Sequence, residues 1–185
     1  MPVSEETFKR ISLEDPDGRW ELDGGCLRQK PEMTFEHNQA QVMIGRGLLA
    51  QLDPRAFVVR IDNSLVRRSA SRFYIPDVMV VALETARRLF PNPGMWEVYP
   101  EPVLLVVEVW SPSTGRYDLT RKLSQYQRRG DAEIWLLHPY EETLRTWQRQ
   151  PDGRYAEAIH RGGIVKPIAL PNVSIDLGEI FDLLR

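Results

Sequence analysis

Five aliphatic residues in a row, Val103-Leu104-Leu105-Val106-Val107, run directly into Glu108 and Val109. A strand with no polar alternation has to be buried on both faces of a sheet, which calls for an α/β architecture with cover on either side. The run is far shorter than the roughly 20 residues that cross a bilayer, so no membrane span is expected. Its closing carboxylate is costly, because an ionised Glu at the end of a buried strand must be met by a cation or by hydrogen-bond donors. Alternation places Glu108 on one face with Val106 and Trp110, opposite Val107 and Val109. On the residue alone two readings stay open: a structural ion pair with Arg or Lys, or a site at the strand's C-terminal end.

The neighbouring segments sort around this strand. Residues 1–35 read as an irregular lead-in carrying a small hairpin, Trp20-Glu21-Leu22-Asp23 running into Gly24-Gly25. Thr34 caps a helix whose apolar positions Ala40, Met43, Ile44, Gly47, Leu48 and Leu52 recur at three- and four-residue steps up to Asp53-Pro54. Strands are predicted at Phe57–Ile61, Ser64–Val66, Val78–Ala82, Val103–Val109 and Ile134–Leu137. A helix is predicted over Asp118–Arg129, closed by Gly130. A hairpin joins Thr143–Gln148 to Tyr155–Ile159 around Pro151-Asp152-Gly153, and a short amphipathic helix ends the tail between Val173 and Leu184.

This order predicts an α/β fold, a mixed sheet flanked by helices. No repeat or linker divides the chain, so one domain is expected over 1–185, an N-terminal extension at 1–35 and a core at 36–185. With 185 residues, 42% of them hydrophobic, and a formal net charge of -2, wholesale disorder is excluded. Cys26 is the single cysteine, so a disulfide framework is impossible. The first residues show neither a basic start followed by an apolar stretch nor an Arg-rich transit character, and a cytoplasmic location is expected.

Two further residues could join Glu108 in chemistry. Asp77, between Pro76 and the apolar run 78–82, sits at the mouth of a strand, and two carboxylates at strand ends suit Mg²⁺, which keeps several waters. Lys122 lies four residues before Tyr126 on the inward stripe of the predicted helix, where an ammonium needs carboxylate or phosphate company. Charge is also unevenly placed. Arg55–Arg72 holds five Arg against Asp62, and Arg116–Arg129 holds five basic residues against Asp118. Both segments flank the three candidates.

Taken together, these residues resemble the PD-(D/E)XK nuclease superfamily and, within it, the Uma-two family of restriction-endonuclease-like proteins. The resemblance rests on Trp20-Glu21-Leu22-Asp23-Gly24-Gly25, His37, Pro76-Asp77-Val78, Val107-Glu108-Val109-Trp110-Ser111-Pro112-Ser113, Asp118, Lys122-Leu123-Ser124-Gln125-Tyr126 and Glu133-Ile134-Trp135-Leu136-Leu137. It implies a restriction-endonuclease-like core and a Mg²⁺- or Mn²⁺-dependent endonuclease acting on DNA, with RNA left open. Asp77 and Glu108 would hold the metal, with the Val109 carbonyl as a further ligand. The superfamily's Lys normally follows the Glu by two residues, where this chain has Trp110, so Lys122 resembles a migrated Lys. Glu36 is similar in place to an accessory acidic residue, and His37 matches the family's histidine. Tyr126 fills the family's aromatic place, with packing its expected role, and His138 stands where family patterns often show Asp. Arg67, Arg68, Arg72, Arg116 and Arg121 would contact phosphates without reading bases.

A homodimer is expected, because a double-strand cutter needs two sites related by a two-fold axis. The competing reading, prompted by Trp110, is a catalytically inactive nuclease fold serving as a nucleic-acid-binding or assembly module. With no metal bound, Asp77 beside Glu108 should repel it and raise at least one of the two pKa values.

Overall fold

The computed structural model describes residues 1–113 and 115–184, and for residues 116, 118 and 119 the backbone without the side chain. In chain order the elements are α1 (Glu5–Glu14), β1 (Trp20–Asp23), β2 (Cys26–Gln29), α2 (Phe35–Gln51), β3 (Phe57–Ile61), β4 (Leu65–Ser69), β5 (Arg72–Tyr74), β6 (Val78–Ala82), α3 (Leu83–Leu89), β7 (Val98–Tyr99), β8 (Leu105–Val109), α4 (Gly115–Tyr117), a π-helical turn (Asp118–Lys122), α5 (Leu123–Arg129), β9 (Glu133–His138), β10 (Thr143–Arg149), β11 (Tyr155–His160), β12 (Ile164–Val165), β13 (Ile175–Asp176) and α6 (Leu177–Asp182). Among the described residues the strands form a six-stranded sheet in the order β11-β10-β9-β8-β6-β3, a five-stranded sheet β2-β1-β5-β4-β7, and the pair β12-β13.

The apolar run becomes the middle of the larger sheet. All five residues of β8 are buried, flanked by antiparallel β6 and parallel β9. One face of this sheet is covered by α2 and α6: Ala40, Ile44 and Leu48 pack with Val107, Val109, Ile180 and Phe181. On the other face α5 presents Tyr126 to Val106, Ile134 and Trp147, and Tyr74 of the smaller sheet closes the layer. Each buried Val, Leu or Ile in these layers contributes roughly 1.5–3 kcal/mol. The strand starts at Leu105 and not at Val103, because the Val103 N–H is taken by the Asp131 carboxylate at 2.8 Å.

The smaller sheet changes the reading of the N-terminus. The expected hairpin exists, with Asp23 opposite Cys26, but it forms one edge of a larger sheet: β1 also pairs with β5, Leu22 opposite Phe73. The lead-in before it is helical, with Ser4 Oγ accepting from the Thr7 N–H at 3.2 Å as the cap of α1. Phe8 is the one fully buried residue of α1 among those described, and a single anchor leaves no stripe for periodicity to reveal. Its ring packs on Phe73 at 4.9 Å between centroids. The Ser64–Val66 strand runs on to Ser69 and turns back as β5.

The Thr34 cap is present, its Oγ1 accepting from the His37 N–H. The helix predicted over 118–129 begins at Gly115 and carries one π-helical turn over 118–122, a feature that often marks functional positions because it rotates the side chains on either side of it. Gly130 ends the helix at φ 85°, a conformation that favours glycine.

Candidate active site

Sheet register brings the two carboxylates together. Val78 of β6 lies opposite Val107 of β8, so one step beyond, in antiparallel pairing, sets Asp77 beside Glu108. Asp77 is 1% and Glu108 3% exposed, so both depend on protein partners.

Asp77 is met on every side. Oδ1 accepts from Lys30 Nζ at 2.7 Å; Oδ2 accepts from the Val109 N–H at 2.6 Å and from His37 Nε2 at 3.1 Å. One helical turn beyond His37, Gln41 Nε2 donates to the Asp77 carbonyl at 3.0 Å. Lys30, just past β2, also holds the Asp62 carboxylate and donates to the Ile75 carbonyl at 3.2 Å. Burial by itself raises the Asp77 pKa, but Lys30 first and His37 second outweigh it and hold the carboxyl well below the usual range. Burial likewise lowers Lys30, and Asp77 reverses it, leaving the ammonium pushed up to about 12. The expected repulsion between the two carboxylates therefore does not raise the Asp77 pKa, because Asp77 has its own cation.

Glu108 is oriented from α5 and the π turn. Tyr126 donates its hydroxyl to Oε1 at 2.5 Å, and Lys122 Nζ lies 3.3 Å from the same oxygen. Burial and the Glu108 charge raise the Tyr126 pKa well above its ordinary value, so the phenol remains a donor. Tyr126 thus does more than pack. Lys122 also reaches Glu21 Oε1 at 2.8 Å, and Glu21 in turn accepts from the Ile75 N–H at 2.8 Å. Lys122 therefore joins the two sheets through a pair of carboxylates.

Asp77, Glu108, Lys122, Lys30 and Glu21 line one cavity of about 220 Å³. No group of three or more His, Cys, Asp or Glu residues arranged to enclose a cation occurs among the described residues. Two carboxylates beside open volume nevertheless fit a hard divalent ion that keeps most of its waters. The donor set fits such an ion, with Lys30 and Lys122 as the charges it would have to displace or share.

The remaining candidates fall at varying distances from this centre. Val109 offers its N–H to Asp77. His37 touches Asp77, and its Nδ1 is buried with no hydrogen-bond partner among the described residues. Glu36, on the same helix, points elsewhere: it accepts from Tyr140 at 3.0 Å and is not among the cavity's lining residues. Trp110, where the sequence resemblance would put a Lys, stacks on His138 at 4.2 Å and meets Tyr140 edge-on. A Cβ on Gly115 would come within 1.9 Å of the indole nitrogen, so a glycine is required there. Of the basic segments, Arg67 is paired with Glu5 at 2.7 Å and Arg72 lies 3.6 Å from Asp23, both along the smaller sheet, while Arg60 is paired with Glu97. Arg68 and Arg121 are exposed, and the Arg116 and Asp118 side chains lie outside those described. Much of the basic count of Arg55–Arg72 is thus neutralised by acids distant in sequence.

Glu21, Lys30 and Gln41 belong to this centre and were not singled out by the sequence. Glu21 could have been found from the alternation of β1, which leaves Glu21 on the face opposite Leu22. For Lys30, beyond a strand end in a polar stretch, the sequence carried no signal.

The structure resembles a crystal structure from Anabaena variabilis described as "a putative nuclease belonging to DUF820", with a TM-score of 0.79 at 17% identity over 100% of both chains. At that identity the likeness speaks for the fold. No curated protein matches the chain. The model of the Uma2 family, described as "Putative restriction endonuclease", matches residues 5–178. That match takes in the hairpin, the strand with Glu108 and the helix with Lys122, and the chain accordingly belongs to the Uma2 family of restriction-endonuclease-like proteins.

Proposed function

We propose that this protein is a divalent-metal-dependent endonuclease that hydrolyses phosphodiester bonds of DNA. The observation that carries the reading is the convergence of Asp77, Glu108 and Lys122 on one cavity from three different elements. Lys30 and His37 keep Asp77 ionised and fixed, and Tyr126 sets the rotamer of Glu108. Lys122, held between Glu21 and Glu108, presents an ammonium that would orient the attacking water and offset charge growing on the phosphate. Mg²⁺ or Mn²⁺ held by Asp77, Glu108 and the Val109 carbonyl would supply a water of lowered pKa and neutralise phosphate charge. Double-strand cleavage would pair two such sites in a homodimer.

One observation favours a second reading. Lys30 already occupies Asp77 Oδ1, as it would in a nuclease fold retained for binding alone. Supercoiled plasmid incubated with Mg²⁺ or Mn²⁺ separates the two. Nicking or linearisation that is abolished by EDTA and by Asp77→Asn supports the enzyme; no cleavage of DNA or RNA at saturating metal overturns it.

A further inference from the structure

Six charged residues line the cavity: Glu21, Arg28, Lys30, Asp77, Glu108 and Lys122. Five of them are committed to one another, Lys30 to Asp77 and Lys122 to Glu21 and Glu108. Arg28 on β2 is exposed and has no oppositely charged partner among the described residues. It is nevertheless held in place, its guanidinium carbon 4.6 Å from the ring centre of Tyr117. A guanidinium fixed against an aromatic ring loses less freedom on taking an oxyanion than a mobile one does.

Tyr117 supplies a second, independent signal. Its hydroxyl is shielded from solvent with no hydrogen-bond partner among the described residues, although the residue lines the same cavity. A buried hydroxyl without a partner carries a desolvation cost that is relieved when an acceptor arrives. Burial, then Glu21 and Asp23, push its pKa up, so the phenol keeps its proton and has it to offer to an anion.

We propose that Arg28 and Tyr117 form a clamp for a phosphate oxygen of the nucleic-acid strand at the mouth of the cavity, a proposal that rests on the phosphodiesterase reading. Arg28 gives the charge and Tyr117 the directed donor. No base is read by either, so the clamp strengthens binding to every sequence alike.

Titration of a fluorescein-labelled DNA duplex in EDTA, where cleavage is suppressed, tests this across a range of salt concentrations. For Arg28→Gln the expected result is weaker binding by roughly tenfold and a salt slope reduced by about one, with the unfolding temperature unchanged. Arg28→Lys should recover most of the slope. Tyr117→Phe should weaken binding several-fold at an unchanged or raised unfolding temperature. Wild-type affinity and slope in both Arg28→Gln and Tyr117→Phe would overturn the clamp and leave the phosphodiesterase reading standing. Failure of the unaltered protein to bind or cleave any nucleic acid would remove that reading, and the clamp with it.

Discussion

The molecule buries two clusters of charge at opposite ends of β8 and β9, and they are built differently. At the far end from the cavity, Asp131 is fully buried and paired with Arg129 at 3.0 Å. Arg129 also donates to the carbonyls of Arg67, Tyr99 and Glu101. Nearby Glu133 accepts from Trp135 Nε1 and from the Ile168 N–H, each at 2.7 Å. These groups have hydrogen-bond partners on fixed backbone, and none of them lines the cavity. Around Asp77 and Glu108 the cations are the lysines Lys30 and Lys122, open volume lies alongside, and the buried atoms His37 Nδ1 and Tyr117 Oη have no partner among the described residues. Buried charge is therefore no guide to chemistry by itself; the two clusters differ in lysine against arginine, in open space and in unmatched polar atoms.

The sharpest break between the two clusters is expected in activity. Asp77→Asn removes a proposed metal-holding oxygen and should lower plasmid cleavage on the order of a thousandfold, the equivalent of several kcal/mol. Asp131→Asn, assayed as folded protein below its unfolding temperature, should cleave at close to the unaltered rate. In stability the order reverses. Arg129→Met leaves a buried Asp131 without its cation and three carbonyls without their donor, and should cost about 3–5 kcal/mol, lowering the unfolding midpoint by roughly 10 °C.

A smaller effect lies in alkaline pH. The Lys30 pKa is about 12 in the folded chain against roughly 10.4 unfolded. A raised folded pKa gives stability that is whole below the unfolded value and disappears as pH climbs through the folded one, here about 2 kcal/mol between roughly pH 10 and 12. Urea midpoints measured across that window should fall in the unaltered protein, and Lys30→Met should lack this component of the fall. Smallest is Glu108→Gln in EDTA. Lys122 keeps Glu21 at 2.8 Å when Glu108 is neutralised, so the loss should stay within about 1 kcal/mol. A fall of 3 kcal/mol or more would place Glu108 with Asp131 as a structural acid.

Why the sequence revealed some of this and not the rest follows from distance along the chain. Glu108 is visible because five aliphatics precede it, Asp77 because Pro76 marks a strand mouth, and Lys122 because helical spacing turns it inward with Tyr126. Local periodicity governs each of these. Glu21 and Lys30 are joined to the site by packing of one sheet on another, 101 and 47 residues from Lys122 and Asp77 respectively; alternation along β1 sets the face of Glu21, but no short-range pattern records what either residue meets. The resemblance also pointed to Glu36, which adjoins His37 in sequence yet lies about a third of a helical turn away and meets Tyr140. The basic count of Arg55–Arg72 was real in composition, but Glu5, Asp23 and Glu97 neutralise much of it in the fold.

Mn²⁺ titration by calorimetry, without nucleic acid, tests the central claim most directly. One binding event per chain, lost in both Asp77→Asn and Glu108→Gln and retained in Asp131→Asn, is the predicted result. No binding by the unaltered protein at millimolar Mn²⁺, or binding indifferent to Asp77 and Glu108, would contradict a metal-dependent site between these two carboxylates.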